Sequence, residues 1–218
     1  MRRALIIGAG LLVAAIFAAG TSPESTGTER YDADLASSHV TVAGTSTMHH
    51  WEAEGRHVGG YAIVQEHELA FLWGNSDQPS QPLAPTVHVE IPVTSLTSGK
   101  RGMDEKMHEA LKATTYPMIT YRLESAKITG RQAAQAEDAG GSLAIDTTGV
   151  LAVAGVDRTV DIPMRVRRLS DHHLEISGDT ALRMTEFGID PPRAMLGTLR
   201  TGDTVRVHWT WVLVRRPS

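Results

Sequence analysis

The stretch that decides the fold is Thr204–Leu213, TVRVHWTWVL, near the C-terminus. Val205, Val207, Trp209, Trp211 and Leu213 share one parity, and Thr204, Arg206, His208 and Thr210 take the other. Successive side chains of a strand point to opposite faces, so this segment is a strand with one apolar and one wet face. The same period of two recurs upstream. Val87, Val89, Ile91 and Val93 alternate with Thr86, His88, Glu90 and Pro92, and Val160, Ile162, Met164 and Val166 with Asp161, Pro163, Arg165 and Arg167. Leu174 and Ile176, then Leu182 and Met184, repeat the pattern. Strands wet on one side belong to antiparallel sheets.

Further runs near 38–43, 51–73, 117–128 and 143–155 bring the count to eight or nine strands. Turn residues separate or interrupt them at Gly59-Gly60, Gly140-Gly141, Ser177-Gly178-Asp179 and Gly202-Asp203. The exception is 102–113, where Met103, Met107, Ala110 and Leu111 form one helical stripe. Asp104 suits the first turn of that helix, and Pro117 stops it. One helix on a large antiparallel sheet predicts an all-β barrel or deep sandwich with one end partly covered. Residues 130–141, with no apolar side chain larger than Ala, read as a surface hairpin loop.

The first twenty residues are a separate object. Arg2 and Arg3 precede an apolar run from Ala4 to Ala19, and small residues lead into Thr21-Ser22-Pro23-Glu24. This is the layout of an export signal, and the run is short against the roughly 20 residues of a membrane span. A cleaved signal over 1–20 is favoured, with an uncleaved membrane anchor as the alternative, followed by a linker over 21–37. The expected location is therefore periplasmic, secreted or otherwise in the cell envelope. Removing the two leader arginines from 21 basic residues leaves 19 against 25 acids, a net −6. That offers no footprint for nucleic acid.

Catalytic patterns are missing. The chain has no Cys, no GxSxG and no HExxH. Ten His invite a metal reading, but His49-His50 and His172-His173 are neighbours that a strand points apart. Gly44-Thr45-Ser46-Thr47 lacks the lysine and following helix of a phosphate loop. Aromatics make up only 5 % of the chain, a thin supply for plugging a barrel, which favours an apolar cavity over a solid core. Such a cavity suits a long hydrocarbon chain.

Five motifs, in order, resemble the YceI-like proteins. Gly44–Glu52 (GTSTMHHWE) resembles that family's G-x-S-T-L-H-D-W-E, and Val89–Gly99 (VEIPVTSLTSG) its strand into a Ser-Leu-x-Ser-Gly turn. Met103–Met107, Leu111–Ala113 and Tyr116–Tyr121 resemble M-D-x-x-M, L-K-A and Y-P-x-I-x-F. Gly149–Arg158 and Arg183–Ile189 resemble the G-x-L-T-x-x-G-V-T-R hairpin and R-x-D-F-G-I. The match spans about 38–214, with His50 and Glu186 standing where the family has aspartate.

The resemblance implies an extended eight-stranded antiparallel barrel of lipocalin-like form over 38–214. It also implies a non-enzymatic lipid-binding and transport role with an isoprenoid, fatty-acyl or other long-chain lipid as ligand, an isoprenoid quinone included, and no other cofactor. On the strands the expected lining is Val89, Ile91, Leu123, Leu151, Val153, Val207, Trp209 and Trp211. Met103, Met107 and Leu111 would close one end. Trp51 and Phe187 are expected to cement turns, and His49 and Arg183 to be hydrogen-bonded near the barrel end. Transient membrane contact and a homodimer are left open. The competing readings are an envelope enzyme or metal protein using His49 and His173, and a stress or interaction module without a ligand.

Overall fold

The computed structural model describes residues 27–73, 83–132, 141–194 and 199–217. The expected leader 1–20 and most of the 130–141 loop lie outside them. In chain order the elements are β1 (Thr28–Ala33), β2 (His39–Ser46), β3 (His50–Gly55), β4 (Gly59–Gln65), α1 (Glu66–Trp73), β5 (Thr86–Pro92) and β6 (Leu96–Thr97). They continue with α2 (Arg101–Ala110), β7 (Met118–Gln132), β8 (Ser142–Val153), β9 (Val156–Arg168), β10 (His173–Arg183), β11 (Arg193–Ala194) and β12 (Leu199–Arg215).

The sheet order is β1-β4-β5-β7-β8-β9-β10-β12, and β1 pairs back onto β12, so the sheet closes as an eight-stranded antiparallel barrel. The short strands are pieces of longer ones. β1 and β2 lie in line along β12, with Ala33 opposite Leu213 and His39 opposite Thr210. β3 and β4 are likewise one strand broken at 56–58, and β5 and β6 one broken by the 3₁₀ turn Val93–Ser95. Each strand pairs with the next in sequence, an up-and-down meander whose closure leaves no long open edge.

At the break between β1 and β2 the missing ladder bonds are replaced by a side chain. Buried Ser38 donates its hydroxyl to the Val212 carbonyl at 3.3 Å and accepts from the Val212 N–H at 2.9 Å. A buried backbone group without such a partner would cost about 1–3 kcal/mol. Between β8 and β9 the turn is only Ala154-Gly155, with φ +53° and +82°. Both positions are left-handed, the geometry that matches strand twist in a two-residue hairpin and favours glycine.

Three features differ from the sequence reading. β1 lies inside the expected linker, because its TERYDA sequence buries only Tyr31 and shows no clear alternation. The run 51–73 is not one strand but β3, β4 and α1. The helix expected over 102–113 runs from Arg101 to Ala110, and Lys112 at φ +55° ends it.

The buried side chains form two clusters on facing walls. One is drawn from β1, β2, β4, β6, β10 and β12 around Tyr31, Val64, Trp211 and Leu213. The other is drawn from β7, β8, β9 and the 184–189 turn around Tyr121, Leu151, Ile162 and Phe187. Val89, Leu111, Ile119 and Trp209 touch both clusters yet are only partly buried. Side chains that bridge two walls in a solid core would be fully enclosed, so the space between the walls is hollow.

Candidate functional site

The inward parity of the strands lines two adjoining chambers. The upper one, at the α1 end, holds about 200 Å³, and the lower one, at the α2 end, about 690 Å³. Val40, Ile91, Leu151, Leu182 and Val207 line both, so the chambers meet at a shared waist. From Val205 to Leu213 the wall runs about 26 Å along β12, at ~3.3 Å per residue. Strand tilt reduces that to about 20 Å along the barrel axis.

All eleven residues expected to line a pocket face this space. Val89, Leu123, Trp209 and Trp211 are in the upper chamber, Met103, Met107, Leu111 and Val153 in the lower, and Ile91, Leu151 and Val207 at the waist. Trp51 and Phe187, expected to cement turns, line the lower chamber. Arg183 and His49 lie on its rim, and Arg183 is hydrogen-bonded there to Asp203, as expected near the barrel end.

Gly178, which the sequence reading took for a turn, shapes the hollow together with Gly44 and Gly149. Gly178 lies directly opposite Trp209 on the neighbouring strand, and a Cβ there would come within 2.2 Å of the indole. Gly44 stands in the same relation to Trp51, at 2.4 Å, and Gly149 receives the Tyr121 ring at 2.5 Å. Each large ring therefore lies flat against a strand with no side chain beneath it. That keeps the rings in the wall and out of the lumen. A glycine at an inward strand position opposite an aromatic is the signal that would have identified them.

The upper end is roofed by α1, whose Leu69 and Leu72 join Leu83 and Pro85 in the chamber lining. Glu68 is 2 % exposed and holds this roof together. Its carboxylate accepts from the Gln65 N–H at 2.9 Å and from the Ala84 N–H at 2.6 Å, so both oxygens are satisfied. Arg131 of β7 donates to the Leu72 and Phe71 carbonyls at 2.8 and 3.2 Å, closing the C-terminal end of α1.

The lower end is held by two aspartates. Asp104 of α2 accepts from the Thr97 hydroxyl at 2.9 Å, and from the Ser98 N–H and hydroxyl at 2.7 and 2.6 Å. These bonds, those from Ser98 foremost, hold its carboxyl below the ordinary aspartate range. Asp203 accepts from the Thr185 N–H and hydroxyl and from Arg183 Nε, and is lowered by the same kind of contacts, the Thr185 N–H first. The rim between them carries Ser46, His49, Lys100, Lys106, Arg183 and Thr201.

The polar side chains of the upper wall are Glu68, Thr147 and Thr180, and Thr147 is engaged by the Tyr121 hydroxyl and the Ile162 carbonyl. Among the described residues no three His, Asp or Glu converge where they could hold a metal. His49 is on the lower rim, whereas His173 begins β10 at the opposite end, bonded to Ser170.

Solved structures share this architecture. A polyisoprenoid binding domain from Saccharophagus degradans implicated in plant cell wall breakdown is 14 % identical, with a TM-score of 0.63 over 85 % of this chain and 98 % of that one. Burkholderia cenocepacia BcnA is 19 % identical, with a TM-score of 0.57 over 83 % of this chain and 99 % of that one. At such identities the likeness establishes the fold. No curated protein shows significant sequence similarity to this chain. The YceI-like domain family matches residues 31–213, from β1 to within two residues of the end of β12, and the chain belongs to that family.

Proposed function

We propose that this protein is a non-catalytic carrier that holds one long-chain lipid of the isoprenoid class, an isoprenoid quinone included, along the barrel axis. The observation that carries the reading is the pair of largely apolar chambers inside the barrel, adjoining at five shared lining residues. The name of the Saccharophagus relative, a polyisoprenoid binding domain, supports the same class of ligand. Energetics favour tail over head. Each buried methylene contributes about 0.8 kcal/mol, so roughly ten reach the ~8 kcal/mol of a micromolar complex before the cost of association is subtracted. A few hydrogen bonds at ~0.5–1.5 kcal/mol each would not suffice. Met103 and Met107, flexible and polarisable, adapt the lower wall to a branched chain.

The export-type sequence of residues 1–20 supports a place in the cell envelope for this carrier, where a lipid must cross water between membranes and transient membrane contact would serve loading. The test is extraction of the purified native protein into organic solvent followed by mass spectrometry. One prenyl-type lipid per chain is expected; an extract free of lipid overturns the proposal.

A further inference from the structure

One seam of the barrel is paired over only part of its length. β5 and β7 pair from Pro92 and Met118 up to His88 and Arg122. Above that point Thr86 and Val87 stay with β4, and Leu123–Gln132 of β7 pairs only with β8 among the described residues. A register shift between Leu123 and Ser125 marks where β7 turns away, as a bulge bends the strand that carries it. The gap so opened leads into the upper chamber, lined by Leu83, Pro85 and Val87 from one edge and by Leu123 and Ala126 from the other.

α1 crosses this gap. It follows directly on β4, and its last carbonyls are bonded to Arg131 of β7, on the far side of β5. Its hold is slight, because eight residues are too few for a helix to be stable alone, and its one buried side chain is Glu68 at the β4 end. Leu69 and Leu72 face a hollow and are only partly buried. The far end is fastened by Arg131, which bonds the Leu72 and Phe71 carbonyls and lies 5.3 Å from the centroid of the Phe71 ring. On its other flank α1 borders a polar recess of about 350 Å³, reaching Trp73, Arg168 and Arg215. Leu69 and Leu174 line both recess and chamber, so they are the partition between them.

We infer that α1 is a gate, hinged at Glu68 and latched by Arg131, and that the lipid enters and leaves the upper chamber sideways through the seam between β5 and β7. This rests on the carrier reading above and assigns the route by which the ligand exchanges. Opening breaks the Arg131 bonds but little packing, and the recess gives the helix room to swing. A chain lying in the upper chamber completes the burial of Leu69 and Leu72, so loading itself favours the closed gate.

The test follows a geranyl-substituted naphthoquinone, which quenches indole fluorescence, as it meets Trp209 and Trp211 in the upper chamber. Stopped-flow mixing reads its uptake, and dilution into phosphatidylcholine vesicles reads its release. Arg131→Gln is expected to speed both rates about tenfold, the equivalent of one lost charge-assisted hydrogen bond, with Kd unchanged. A gate moves both rates together, whereas a variant that merely weakens binding raises release alone. Because the chain has no Cys, Phe71→Cys/Arg131→Cys joined by a short bismaleimide pins α1 to β7 without other labelling. The joined form should exchange the quinone at least tenfold more slowly than the same variant left unjoined. Unchanged rates in Arg131→Gln, faster release alone, or equal exchange by the joined and unjoined forms overturns the inference while leaving the carrier reading intact. If the quinone does not bind the unaltered protein, the carrier reading fails and this inference fails with it.

Discussion

Gly178 decides how much of the lumen Trp209 occupies. With hydrogen in place of a side chain, the indole lies against β10; a larger residue would push it off the wall. Gly178→Val is therefore expected to lower lipid capacity, read as bound lipid per chain, more than it lowers stability. Val207 offers the converse case. It lines both chambers, so Val207→Phe extends into empty space and should cost well under the ~1–3 kcal/mol of overpacking a filled core. Val93, 0 % exposed, has no such space, and Val93→Phe should bear the full penalty in urea melts. Equal losses at the two sites would mean the lumen is solid. The inward valines and tryptophans were legible in the sequence because strand parity alone marks them. The glycines were not, since a glycine in a strand reads as a turn until its cross-strand neighbour is known.

Helices α1 and α2 act as end-pieces, and only α2 announced itself. α2 has a ten-residue span with apolar residues on one stripe. α1 is eight residues, and its Leu69–Trp73 run is apolar without a break, which reads equally well as strand. Its stability comes from contacts distant in sequence: Ala84 on Glu68, and Arg131 on the last carbonyls. Glu68→Ala should take the acceptor from the Gln65 and Ala84 N–H groups and cost about 1.5–3 kcal/mol, the range of a hydrogen bond to a charged group, with amide hydrogen exchange rising first in α1. At the other end, Asp104 and Asp203 have lowered pKa values, so their contribution is fully present above the ordinary aspartate value of 3.8. It is lost as pH falls below that value and each carboxylate protonates. Acidification through this range is expected to loosen α2 and the 184–189 turn. Asp104→Asn should give a molecule whose α2 exchange is already fast at neutral pH.

For the molecule as a whole, a barrel needs one apolar face per strand, and the alternation showed it over most of the chain. The breaks that divide the first three strands were hidden. They depend on Ser38 reaching Val212 and on Val93 turning inward, contacts that no local pattern encodes. The scarcity of large aromatics pointed to a hollow interior, and the structure adds the mechanism: rings laid on glycines, and two chambers joined at a waist. Leu151 stands at that waist, against both chambers. Leu151→Trp should therefore block the passage from one to the other while the barrel remains closed.

Native mass spectrometry of the purified protein and of Leu151→Trp tests the central claim most directly. The account predicts a chain carrying the added mass of one lipid, released on activation and lost in the blocked variant. An unaltered protein that flies at its bare polypeptide mass, or a blocked variant that retains the full lipid load, would contradict it.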